Sequence, residues 1–165
     1  MRLPIGAALV ATLTAALAAQ AVAADDDHAR FRIIVANKDQ VVGIVEDGAA
    51  ATGPIRPARF AIYLPAPLDV PGSDGKFIGK SDLSVFQAMV DCDGWKIKAL
   101  GADYYLTPGK ARLHHVDYGK ALFMPAEEGP PDVIAAQVCG EAPPARTSEG
   151  LQGLEAFVAA AKARF

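Results

Sequence analysis

The side chains best suited to chemistry stand together at His114-His115, followed by Asp117 and Tyr118. Imidazole and carboxylate are the groups that ligate a metal or move a proton near neutral pH. Adjacent residues on a strand point to opposite faces, so His114 and His115 cannot easily chelate one ion together. A small secreted hydrolase or metal-dependent enzyme using His114, His115 and Asp117 is therefore the alternative reading. His28 follows three aspartates, and this stretch reads as a solvated lead-in rather than a metal site. Asp91-Cys92-Asp93-Gly94 holds a fragment of a calcium-loop spacing without the third oxygen residue or the distal Glu, and reads as a turn. A Cys–His nucleophile would need a free thiolate with His114 or His115 as its base. No G-x-S-x-G, H-E-x-x-H or glycine-rich phosphate loop is present. The sequence nominates no catalytic residue, no metal ligand and no cofactor. Tyr104-Tyr105 would place one ring outward and one inward, and with His114 and His115 these form the candidate binding surface.

Compartment bears on the thiol. Arg2, the apolar run Ile5–Ala18 and the small residues Ala21-Val22-Ala23 have the order of a secretory signal peptide, expected at residues 1–23. The run is short, and Asp25-Asp26-Asp27 follow at once, which argues against a membrane span. Cleavage after Ala23 would leave about 142 of the 165 residues, enough for one exported domain over 24–165. No cysteine near the end of this segment is available for lipid attachment, so the expected location is the periplasm, the medium or the cell surface. Removing Arg2 leaves 15 basic against 19 acidic residues, which excludes a basic nucleic-acid footprint. No later run is apolar enough to span a bilayer.

Two cysteines in an exported chain most often pair. A Cys92–Cys139 bridge would close a loop of about 47 residues, worth about 4 kcal/mol by the chain-entropy model. Two free buried thiols or an intermolecular bridge are the alternatives. No C-x-x-C spacing suggests redox work.

The elements must then present these groups. In Ser84–Leu106, Phe86, Ala88, Val90 and Cys92 alternate with Gln87 and Asp91, and Trp95, Ile97 and Ala99 alternate with Lys96 and Lys98. That is the pattern of two half-buried strands, joined at Asp93-Gly94. Phe31–Ala36 and Val41–Val45 read as a first hairpin, and Ile55–Leu64 as a third strand with Pro57 at an edge or bend. Pro65–Ser81, with three prolines and three glycines, reads as the longest irregular loop. Lys110–Tyr118 and Ala121–Met124 would add one or two strands. Pro131–Cys139 reads as a short helix started by Pro130-Pro131, favoured by Asp132 and ended by Gly140. Its inward face carries Ile134, Ala135, Val138 and Cys139. A last helix over about 148–164, capped by Thr147 or Ser148, buries Leu151, Leu154, Phe157, Val158 and Ala161.

Val90-Asp91-Cys92, Tyr105, Phe123-Met124-Pro125, Gly129 and Val138-Cys139 together resemble the bacterial surface-adhesin protein E family. The similarity runs over about 31–140, with Phe123 at a position that is commonly Trp in that family. The resemblance implies an antiparallel sheet with packed helices, dimerisation and non-catalytic binding of extracellular proteins. That family's prototype is held in the outer membrane by a lipid, for which this chain offers no cysteine.

Runs of strands followed by helices place the chain in the α+β class, with about five to six antiparallel strands, a short helix, a C-terminal helix and one disulfide. The main functional expectation is an exported, non-catalytic module that binds a protein partner in the periplasm or at the cell surface. A purely structural or inhibitory envelope protein is the third reading.

Overall fold

The structure, a computed structural model, describes residues 26, 28–46, 52–71, 76–105, 112–141 and 150–165. The expected signal segment, its cleavage site and the Thr147-Ser148 cap lie outside the described residues.

Short runs rich in β-branched residues form β1 (Arg30–Ala36) and β2 (Val41–Val45), the antiparallel pair expected of them. Asn37 closes their turn by accepting the Asp39 and Gln40 amides on Oδ1, both at 2.9 Å. β3 (Ile55–Pro71) and β4 (Phe77–Asp91) are far longer than expected. Within Pro65–Ser81, residues 65–71 and 77–81 are therefore strand rather than loop: Leu68 pairs with Ser81, Asp69 with Lys80 and Val70 with Gly79. The four prolines that argued for a loop or a bend lie outside Phe60–Tyr63, the part of β3 paired on both sides. A residue without an N–H is tolerated where a strand has at most one partner.

β5 (Lys96–Tyr105) returns along β4 after a turn over Cys92–Trp95, where Asp91 Oδ1 accepts the Gly94 amide at 3.0 Å. The turn is longer than the two-residue reading, and Trp95 sits inside it at φ 50 rather than on the strand. β6 (Arg112–Asp117) and the two-residue β7 (Met124–Pro125) both pair with β5. After α1 (Pro130–Cys139), the pair Leu151–Gln152 forms β8 against β1. Among the described residues the sheet thus has eight strands in the order β6-β5-β4-β3-β2-β1-β8, with β7 beside β5, rather than five or six. The last helix, α2 (Gly153–Lys162), begins later than expected because Leu151 and Gln152 are held on β1.

The helices cover opposite faces. α2 lays Leu154, Phe157, Val158 and Ala161 on Phe31, Val41, Tyr63 and Val85. Gly43 lets it approach closely, since a Cβ there would stand 2.5 Å from the Phe157 ring. α1 lays Ile134 and Ala135 on Val42, Phe60, Ala88 and Val90, residues of the opposite parity. Burying each such large apolar side chain is worth about 1.5–3 kcal/mol.

In the lead-in before β1, His28 is exposed as expected, whereas Asp26 is not. The Asp26 side chain is buried, forms an ion pair with Arg59 and accepts the Tyr105 hydroxyl. α2 has no side-chain cap; its Gly153 and Leu154 amides donate to the Ala29 and Asp26 carbonyls at 2.7 and 3.1 Å. The N-terminal segment is therefore the missing cap.

Candidate binding surface

Cys92 and Cys139 form the expected disulfide, with Cα atoms 5.6 Å apart. Each arrives from an independent facing pattern, one at the end of β4 and one on the inner face of α1. Three further ties hold the same helix: Trp95 Nε1 donates to Asp132 at 2.8 Å, Arg56 to the Val138 carbonyl at 3.0 Å, and Arg32 to Gln137 at 3.0 Å. The Arg56 contact places a cation at the carbonyl end of α1, where the helix dipole favours it. Gly140 ends the helix at φ 81, as its place in the sequence suggests.

The four residues of the candidate surface do not share a face. Tyr104 pairs with His114, and Asp103 with His115, so the two histidines point to opposite sides of the sheet. Tyr104 stands on the α1 side, edge-on to Phe86 with ring centroids 6.4 Å apart. Its hydroxyl lies 2.8 Å from that of Tyr118. Burial, followed by the hydrogen bond and charge of Tyr118, pushes the Tyr104 phenol above its ordinary pKa. Tyr105 turns inward against the α2-side core, with its hydroxyl on Asp26. On that side His115 Nδ1 meets Asp103 Oδ1 at 2.8 Å, and the ring lies over Gly101. Asp117 is turned to its own loop, accepting the Gly119 amide at 2.7 Å. His28 is exposed and gives its carbonyl to Gln152. The structure does not bring His114 together with His115 and Asp117. Among the described residues no group of three or more His, Cys, Asp and Glu side chains is placed to hold a metal.

Two features of the fold were not visible in the sequence. The first is a ribbon. Beyond Tyr63 and Leu83 the paired strands β3 and β4 continue with no third strand beside them among the described residues, and Leu68, Phe77 and Ile78 are 60%, 72% and 37% exposed on it. Its only warning was an apolar residue on either side of the prolines and glycines. The second is a cavity of about 260 Å³ between α1 and the sheet, with Ile62, Phe86, Ile97 and Ala99 on the sheet and Pro130 and Pro131 on the helix. A second cavity of about 330 Å³ adjoins it through Ile62 and Phe86, and brings in Gln40, Asp69, Ser84 and Tyr104. Phe60 and Phe86 stack beneath, ring centroids 5.2 Å apart. No single segment carries these residues, so no motif announced them.

No helix among the described residues is long and apolar enough to cross a membrane. No family model, no characterised protein and no solved structure matches this chain.

Proposed function

We propose that the protein is a non-catalytic binding module of the bacterial envelope, resembling surface-adhesin protein E, which engages a protein partner in the periplasm or at the cell surface. The observation that carries this reading is the two-stranded ribbon with Leu68, Phe77 and Ile78 open to solvent. A ribbon of two strands has little core of its own, and Leu68, Phe77 and Ile78 are exposed on it. Grouped exposed apolar side chains mark a surface that another molecule covers, and an aromatic ring is the usual energetic centre of such a contact. The disulfide supports an oxidising compartment. The dispersal of His114, His115 and Asp117 leaves the polar candidates without a common pocket.

The test replaces Phe77 and Ile78 together by Ser. Both are exposed enough that the melting transition should stay within a few degrees of the parent. Proteins captured from envelope and extracellular extracts by the parent should be lost, or bound at least about tenfold more weakly, by the double variant. Light scattering on the same samples reads dimerisation: a mass of two chains that falls to one in the variant identifies the partner as a second copy. Capture that survives the double substitution removes the ribbon as the contact.

A further inference from the structure

The trench between α1 and the sheet has a chemistry distinct from that of the ribbon. All nine residues that line the cavity at α1 are apolar: four on the sheet are aliphatic or alanine, two are phenylalanine, and Pro130, Pro131 and Ile134 form the roof. The roof prolines present no N–H, so this part of the helix start offers a ligand no backbone donor. A bound peptide or sugar would have to leave amides or hydroxyls unpaired here, which is strongly unfavourable. A hydrocarbon segment brings nothing to leave unpaired. Polar side chains begin only in the adjoining cavity, where Gln40, Asp69, Ser84 and Tyr104 stand beyond Ile62 and Phe86.

The roof is also fixed in advance. A helix of ten residues that buries only Ile134 and Ala135 fully is tied by a disulfide to Cys92 and by hydrogen bonds to Trp95, Arg56 and Arg32. Such redundancy keeps the gap open at a set width, and a site that needs no reorganisation binds with less entropic loss. Together the two cavities reach the size range of small-molecule sites.

We propose that this trench is a binding site for a linear hydrocarbon chain, the acyl or alkyl tail of a small amphiphile, whose polar head rests toward Tyr104, Ser84 and Gln40. The outer cavity takes part of its lining from the ribbon, through Leu68, Asp69 and Val70, but none from Phe77 or Ile78, so the two readings are tested by different variants.

The experiment uses purified, oxidised protein and the apolar fluorophore N-phenyl-1-naphthylamine, with dodecanoate and dodecan-1-ol as competitors. The parent should enhance the probe's fluorescence saturably, and the competitors should displace it. Displacement by dodecanoate alone would show that the head contributes, and displacement by both that the tail suffices. Ala99→Phe, which fills the trench from the half-buried floor, should weaken probe binding about tenfold or more. Ile62→Asn, which sets an amide into the lining, is the second variant if the first does not fold. The ribbon variant with Phe77 and Ile78 replaced by Ser should bind the probe as the parent does. The proposal is overturned if the folded parent shows no saturable binding, if both trench variants keep parental affinity, or if only the ribbon variant loses it.

Discussion

Tyr104 and Tyr105 differ by one position and have opposite fates. Leu100 decides which is which. Ala99 pairs with Ala88 and Gly101 with Gln87, so Leu100 is an extra residue in β5. A bulge of one residue exchanges the two faces of the strand beyond it. Without it the alternation of Ile97 and Ala99 would continue to Tyr105; with it Tyr104 joins their face and Tyr105 enters the other core. The opposition of the two rings was legible from adjacency alone, while its sense was not, because no residue type announces this bulge. The position of Tyr104 has a measurable consequence. Its phenol has a folded pKa raised above the ordinary 10.0 by burial and by Tyr118. The folded state therefore holds this proton where the unfolded chain has released it. Stability is whole below the unfolded value and falls as pH rises from there through the folded value. Urea unfolding between about pH 8 and about pH 11 should show Tyr104→Phe losing less stability than the parent over that interval.

At the scale of elements, α1 is the clearest case of a helix held by links rather than by its own burial. Its limits were readable because they rest on local rules: proline at the start, an acid in the first turn, glycine at the left-handed end. The disulfide was readable because two facing patterns pointed to one contact. Replacing Cys92 and Cys139 together by Ser should cost about 4 kcal/mol in chemical denaturation, the chain-entropy value for a loop of 47 residues. A loss near zero would mean that the other three ties suffice. The β3–β4 ribbon shows the opposite case. Proline and glycine counts describe what a strand tolerates at its edge as well as what a loop contains, so composition alone could not separate the two.

At the scale of the molecule, the sheet is covered on both faces by short helices that each leave part of it open. The N-terminal segment closes the arrangement. Asp26 reaches Arg59 on the long β3 strand and Tyr105 on β5, while its carbonyl caps α2. The side chains of Asp26 and Arg59 are 9% and 13% exposed, so removing one charge strands the other away from water. Asp26→Asn should therefore lower stability by about 3–5 kcal/mol, read from urea or thermal unfolding. A change under about 1 kcal/mol would show that Arg59 finds water instead.

What the sequence determined by itself was whatever depends on neighbours along the chain. That includes the first hairpin, the strand ending in Cys92, the helix from Pro130 to Cys139, and the pairing of the cysteines. Alternation, capping and turn chemistry act over a few residues, and the order of residue types records them. Tertiary structure alone decided the number of strands, the assignment of α1 and α2 to opposite faces, the burial of Asp26, and the trench beneath Pro130 and Pro131. Each of these depends on which distant segments meet, and an apolar wall assembled from three strands and a helix leaves no spacing in any one of them.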